Sequence, residues 1–233
     1  MALLETLNLV AHYGDFQALY GIDTHINTGE TVAVIGANGA GKSTYLNSVT
    51  GLHRGAGDAV RFDGKPIGHL PAAEVVKLGI SLVPEGRRLF PSLSVEENLL
   101  IGAYGRRGGG HWNLATIFEL FPVLRELRGL PATSLSGGQQ QMVAFGRALI
   151  SNPRLLLCDE VSLGLAPTII KDIYAVLPTI KETGAAIMLV EQDVQRALQV
   201  ADRVYCFMEG RVTLAGSPSE LDQAAIRSAY FGT

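Results

Sequence analysis

The sequence predicts an α/β fold with a parallel central sheet, an N-terminal antiparallel β subdomain and a helical subdomain. Three observations predict it. Short, almost wholly apolar runs at Thr31 to Ile35, Arg154 to Asp159 and Ala185 to Val190 alternate with helix-compatible segments. That is the pattern of strands buried on both faces and joined by helical crossovers. Ile22, Thr24 and Ile26 alternate with polar residues, as in a half-buried strand of an antiparallel sheet. Residues 92–150 instead read as a mostly helical insert. A chain of 233 residues is one domain. Here residues 1–91 and 151–233 form the core with its antiparallel part, and 92–150 the helical part. Such a chain buries roughly 70–75% of its unfolded surface and needs no staples.

In chain order, Leu3 to Tyr13 suits a strand and Tyr13-Gly14-Asp15 a turn. The strand around Ile22 to Ile26 ends at a turn over Asn27 to Glu30 and leads into Thr31 to Ile35. Lys42 to Val49 is helix-compatible and Gly51 to Gly57 is loop. Ala59 to Phe62 with Asp63-Gly64 forms a hairpin. Pro71 to Leu78 is a short helix with Pro in its first turn, and Gly79 to Val83 a short strand. Ser94-Val-Glu-Glu97 is a capping box opening a helix. The stretch GAYGRRGGG, Gly102 to Gly110, excludes regular structure, with Arg106 and Arg107 on a solvated loop face. Asn113 to Phe121 and Val123 to Arg128 are helical, interrupted by Pro122. Pro167 to Lys181 is amphipathic and is kinked or ended early by Pro178. Val194, Ala197, Leu198 and Ala201 share a helix face. Val204 to Met208 and Arg211 to Ala215 flank a Glu209-Gly210 turn, and Ser217-Pro218 starts the final helix.

The chemistry centres on GANGAGKST, Gly36 to Thr44, which fits G-x-x-x-x-G-K-[ST]. Backbone N–H groups must turn inward around a polyphosphate, and Gly39 and Gly41 permit the positive φ this needs. Lys42 brings a point charge to the outer phosphates, and Ser43 a hydroxyl to Mg²⁺. The apolar run before the loop and the helix after it supply the context the motif requires. Downstream, Leu135-Ser-Gly-Gly-Gln139 opens a helix running to Ile150, with Ser136 as cap and Gln139 closing a capping box. That helix N-terminus exposes N–H groups and a positive dipole end to an anion. The run Arg154 to Asp159 ends in two carboxylates, costly in a buried strand unless they meet a cation or a water. Asp159 fits a Mg²⁺-holding acid and Glu160 a general base for an attacking water. Tyr13 suits an adenine platform or an ordinary strand-edge aromatic equally well.

Composition excludes several classes. The net charge of −3 argues against nucleic acid as a partner. Cys158 and Cys206 lie in apolar runs and read as reduced core residues of a cytosolic protein. No apolar stretch is long enough to span a bilayer, and Glu5 breaks the N-terminal apolar run, against a signal peptide.

The ordered set of phosphate loop, LSGGQ and strand ending in Asp-Glu resembles the ATPase subunits of ATP-binding cassette transporters, over essentially the whole chain. At finer grain, Val83-Pro-Glu-Gly-Arg-Arg88, Gly164-Leu-Ala-Pro167 and Val190-Glu-Gln192 resemble the second ATPase of the high-affinity branched-chain amino acid importer. The resemblance implies two subunits paired head to tail, a sister ATPase or a second copy of this chain. ATP would lie between one chain's phosphate loop and the other's LSGGQ. Gly36, Asn38, Gly39, Ala40, Gly41, Lys42, Ser43 and Thr44 would then hold the triphosphate and Tyr13 the adenine. Ser136, Gly137, Gly138 and Gln139 would face the partner's nucleotide. Ser43, Glu85 and Asp159 would serve Mg²⁺, and Lys42, Glu160 and Gln192 the hydrolysis. It also implies transmembrane permease subunits, a solute-binding protein acting indirectly, and a place on the cytoplasmic face of the membrane. Against the wider family, Glu85 replaces a glutamine, Gln192 a histidine, Ala166 an aspartate and Val161 a proline. The alternatives are a cassette for another cargo (amide, urea or lipid) and a nucleotide-binding regulatory cassette with little turnover.

Overall fold

A computed structural model describes residues 2–104 and 109–231. Arg106 and Arg107 lie outside the described residues. Two sheets organise the chain. The larger has six strands in the order β10-β9-β3-β8-β7-β6. They are β3 (Thr31–Ile35), β6 (Ile80–Val83), β7 (Leu155–Asp159), β8 (Ala186–Glu191), β9 (Arg203–Met208) and β10 (Arg211–Gly216). All pair in parallel except β10, which runs antiparallel on β9. The second sheet is four-stranded and antiparallel, ordered β2-β1-β4-β5. It is built from β1 (Ala2–Tyr13), β2 (Phe16–Asn27), β4 (Gly57–Phe62) and β5 (Lys65–Gly68).

The central strands read as continuous apolar runs because both faces are covered, and alternate residues divide between the two sides. Leu155, Leu157, Met188 and Val190 join Val32 and Val34 in one core. There they meet helix α1 (Lys42–Val49) and the inner face of the antiparallel sheet. Tyr45 of α1 is fully buried, with its hydroxyl 2.7 Å from Thr24 Oγ1, so its polar tip is satisfied. The intervening residues Leu156, Cys158, Ile187 and Leu189 face the helical layer on the other side. Ala33, Ile35, Val204 and Cys206 form a third, smaller core with α9 (Val194–Val200) and α10 (Gln223–Phe231). Cys158 and Cys206 are both buried and free.

Between β6 and β7 the chain is helical: α3 (Val95–Ile101), α4 (Leu114–Leu120), α5 (Pro122–Glu126) and α6 (Gly137–Ile150). Ser94, Asn113 and Ser136 cap α3, α4 and α6, each in a reciprocal capping box. Gly102 is required where it stands, because a Cβ there would lie 1.9 Å from the Arg147 carbonyl oxygen. It lets the end of α3 press onto α6, a use of the Gly-rich run that the sequence did not disclose.

Helix α2 (Ala72–Lys77) begins one residue after Pro71, which is extended rather than helical. The amphipathic segment after β7 divides into α7 (Pro167–Ala175) and α8 (Leu177–Glu182). Pro178 has no N–H for the Tyr174 carbonyl, so the ladder stops and restarts with Pro178 in the new first turn. The last helix corrects an expectation. Ser217-Pro218 does not start it; the Ser217 hydroxyl donates to Glu220 Oε2 at 2.7 Å and closes a separate turn. The helix begins at Gln223, where Asp222 accepts the Ala224 N–H.

Candidate functional site

The loop after β3 delivers the first elements of the site. Gly41 has φ 99° at the head of α1, and a Cβ on it would stand 2.8 Å from Leu19 Cδ2. Only glycine satisfies both constraints. The turn points Lys42 back along the loop, where Nζ donates to Gly36 O at 2.8 Å and Ala37 O at 3.0 Å. The same ammonium lies 3.3 Å from Glu160 Oε1, with the two side chains 4% and 9% exposed. Ser43 Oγ donates to Asp159 Oδ1 at 3.5 Å.

Strands β7 and β8 deliver the acids. Asp159 is the last residue of β7 and is buried. Glu160 follows with φ 45°, a left-handed conformation uncommon for a residue with a side chain. Its N–H donates to Val190 O at 2.9 Å, and its carboxylate accepts from Gln192 Nε2 at 2.5 Å. Lys42, Ser43, Glu85, Glu160 and Gln192 all line one open cleft of about 1010 Å³. Tyr13 stands at the cleft wall, half exposed, its ring 4.8 Å from that of His53. Asn38, Gly39 and Thr44 also line it. Ala40 is buried beneath the loop and its carbonyl accepts the Gly210 N–H. Among the described residues no three His, Cys, Asp or Glu side chains form a metal cage. Ser43, Asp159 and Glu85 offer hard oxygen atoms, which suits a Mg²⁺ whose shell is completed by phosphate oxygens and water.

Ser136, Gly137, Gly138 and Gln139 do not line this cleft. Ser136 N–H donates to Gln139 Oε1 at 2.9 Å, so the capping box is closed within the chain. A Cβ on Gly138 would come 2.7 Å from Ile169 of α7, and one on Gly137 3.2 Å from the Arg87 guanidinium.

A family model described as ABC transporter matches residues 19–162. The chain belongs to the ABC transporter family. Among relatives, BraG of Pseudomonas aeruginosa, a high-affinity branched-chain amino acid transport ATP-binding protein, is 41% identical over 223 residues. That alignment covers 95% of this chain and 96% of BraG. LivF of Archaeoglobus fulgidus, a probable branched-chain amino acid transport ATP-binding protein, is 36% identical, covering 94% of each chain. The crystal structure of a nucleotide-free ATP-binding cassette from an ABC transporter superposes with a TM-score of 0.84 at 29% identity. It covers 98% of this chain and 95% of that one.

Within this cassette, Arg147, Phe16 and Glu191 matter although the sequence reading gave them no role. Arg147 of α6 donates to Arg87 O and Arg88 O, both at 2.9 Å, and ties the segment after Glu85 to the helix that Ser136 caps. Phe16, two-thirds exposed, lines the cleft with Tyr13. Glu191 at the end of β8 is 2% exposed and holds two hydroxyls. Val161 is buried in the helical-side core, which accounts for an apolar residue there. Ala166 sits at the head of α7 without a side-chain cap.

The acids also bear on stability. Burial first, then the charges of Glu160 and Glu85, push the Asp159 carboxyl up to about 6, against partial relief from Lys42 and Ser43. A folded-state value above the unfolded one means the native state holds the proton longer. The metal-free protein therefore loses stability as pH rises from about 4 through about 6, by on the order of 2 kcal/mol. Asp159→Asn removes this cost. In thermal melts with a chelator, Asp159→Asn should melt several degrees above wild type at pH 8, the gap closing as pH falls to about 4.

Proposed function

We propose that this chain is the ATP-binding and ATP-hydrolysing subunit that powers import of a small solute, branched-chain amino acids first, through a membrane permease. One observation carries the catalytic part: the loop ammonium of Lys42, the hydroxyl of Ser43 and the carboxylates of Asp159 and Glu160 converge beneath one cleft. The relatives' branched-chain amino acid transport assignments support the cargo.

In this reading the triphosphate lies over the loop from Gly36 to Thr44 and takes its N–H groups. It replaces Glu160 as the counterion of Lys42. Glu160 is thereby released to orient the attacking water and accept its proton, so that ATP and water give ADP and phosphate. Ser43 and Asp159, with Glu85 beside them, would hold Mg²⁺. That ion, when bound, neutralises charge on the outer phosphates. Gln192 keeps Glu160 in place and can donate to the γ-phosphate, which a glutamine does as well as a neutral histidine. Tyr13 offers a face to the adenine.

Ser136, Gly137, Gly138 and Gln139 would complete a second chain's site, with a sister ATPase or another copy as partner. The permease would dock at a groove of about 340 Å³ between α2, the end of α3 and α6, whose wall includes exposed Leu52, Val76, Ile101 and Tyr104. In this reading the subunit sits on the cytoplasmic face of the membrane. No described helix is long and apolar enough to cross it.

Two variants separate catalysis from docking. Lys42→Ala removes a charge-assisted contact, so Mg-ATP affinity by calorimetry should fall about ten- to a hundredfold. Unchanged affinity would contradict the site. Leu52→Glu should leave Mg-ATP affinity unaltered and abolish co-purification with the permease. Retained co-purification would place docking elsewhere.

A further inference from the structure

Glu191 is a buried carboxylate that the hydrolytic scheme above leaves without a task. It ends β8, one residue before Gln192, and is 2% exposed. Strand alternation sends it away from the cleft, toward the helical layer. There Ser162 Oγ donates to Oε2 at 2.7 Å and Tyr174 Oη to Oε1 at 2.8 Å. The backbone of Ser162 also hydrogen-bonds the carboxylate. Burying a charge is costly without such donors, and a Leu or Val would continue the strand at no such cost.

What the carboxylate holds is informative. Three consecutive residues of β8 and its exit each grip the segment that follows β7. Val190 O accepts the Glu160 N–H, Glu191 accepts Ser162 and Tyr174, and Gln192 Nε2 donates to Glu160. Glu160 itself sits at φ 45°, a conformation that persists only where its surroundings over-determine it. Ser162 is two residues beyond it, and Leu163, next in line, is exposed on the cleft wall. Tyr174 anchors the far end of the same segment on α7. One carboxylate thus ties Ser162, inside the turn from Glu160 to Ala166, to Tyr174 of the helix that follows it.

We infer that Glu191 is a positioning residue for hydrolysis: by holding Ser162 and Tyr174 it keeps Glu160 in its left-handed conformation, aimed at the attacking water. The inference rests on the ATPase reading and on Glu160 as base. Glu191 does not line the cleft. Its loss acts on turnover and leaves nucleotide affinity alone.

The test is steady-state Mg-ATP hydrolysis by the full chain, with its partner ATPase present. Glu191→Ala should lower kcat about tenfold or more, with KM for ATP within about twofold. Glu191→Gln, whose amide can accept from one hydroxyl and donate to the other, should recover most of that loss. Ser162→Ala should lower kcat about threefold, and adding it to Glu191→Ala should cost little more, because both cut one linkage. Should Glu191→Ala fold poorly, Ser162→Ala and Tyr174→Phe carry the same decision from less buried positions. Glu160→Gln, run in parallel, separates the two failures. Turnover indifferent to Glu160→Gln overturns the base assignment and this inference with it. Turnover that needs Glu160 yet is unchanged, per folded molecule, in Glu191→Ala and Ser162→Ala overturns the inference alone and leaves Glu191 a purely structural group.

Discussion

The site depends on how a buried sheet accommodates charge at the ends of its strands. β7 and β8 run through cores on both faces and finish in Asp159 and Glu191, with Glu160 following directly. None of these acids can be placed there without a partner. Lys42, itself 4% exposed, provides the nearest ammonium, and it is shared between two loop carbonyls and Glu160. Asp159 has only a 3.5 Å contact to Ser43, and burial first, then its two acidic neighbours, hold its carboxyl up near 6. Removing one partner from such a set costs more than the set contributes as a whole. In the proposed function a magnesium triphosphate would answer both deficits at once, with anionic oxygens for the loop and a cation for the acids.

The three acids divide by what they face. Asp159 faces Ser43, Glu160 faces Lys42 and Gln192, and Glu191 faces the helical layer. β8 reaches all three neighbourhoods through its last residues. Register does this: Asp159 pairs with Val190, so the chain leaving β7 and the chain leaving β8 emerge side by side.

Much of this was legible in the residue order, and the rest depended on chain segments far apart in sequence. The phosphate loop, the Ser136 capping box and the alternation of Ile22, Thr24 and Ile26 are local patterns, each with its own physical signature within a few residues. The burial of both faces of β7 and β8 followed from uniform apolar runs. Three features had no local signature. Arg147 reads as a surface helix residue until its guanidinium is seen on the carbonyls of Arg87 and Arg88. Gly102 lay in a run that argued only for loop, whereas its use is a close approach to α6. Glu191 sat in the run Glu191-Gln192-Asp193 after a strand, and nothing nearby distinguishes the acid turned inward from the two residues that follow it. The misplaced start of the last helix has a different origin: Ser followed by Pro resembles a helix opening, but Glu220 closes a turn on Ser217 and Asp222 does the capping.

The cleft is one-sided. Its wall holds residues of the phosphate loop, Glu85, Glu160 and Gln192, while the helix N-terminus at Ser136 to Gln139 presents itself elsewhere on the chain. The proposed site, assembled from two chains, would account for both halves, with the nucleotide as the joint between them. The most direct measurement is the mass of Glu160→Gln by size-exclusion chromatography with light scattering, with and without Mg-ATP, alone and mixed with its partner ATPase. Slowed hydrolysis should trap the nucleotide-held pair, so the account predicts a dimer that appears with Mg-ATP and dissolves when it is withdrawn. A Glu160→Gln protein that binds Mg-ATP yet stays monomeric at high concentration, even beside the partner ATPase, would contradict it.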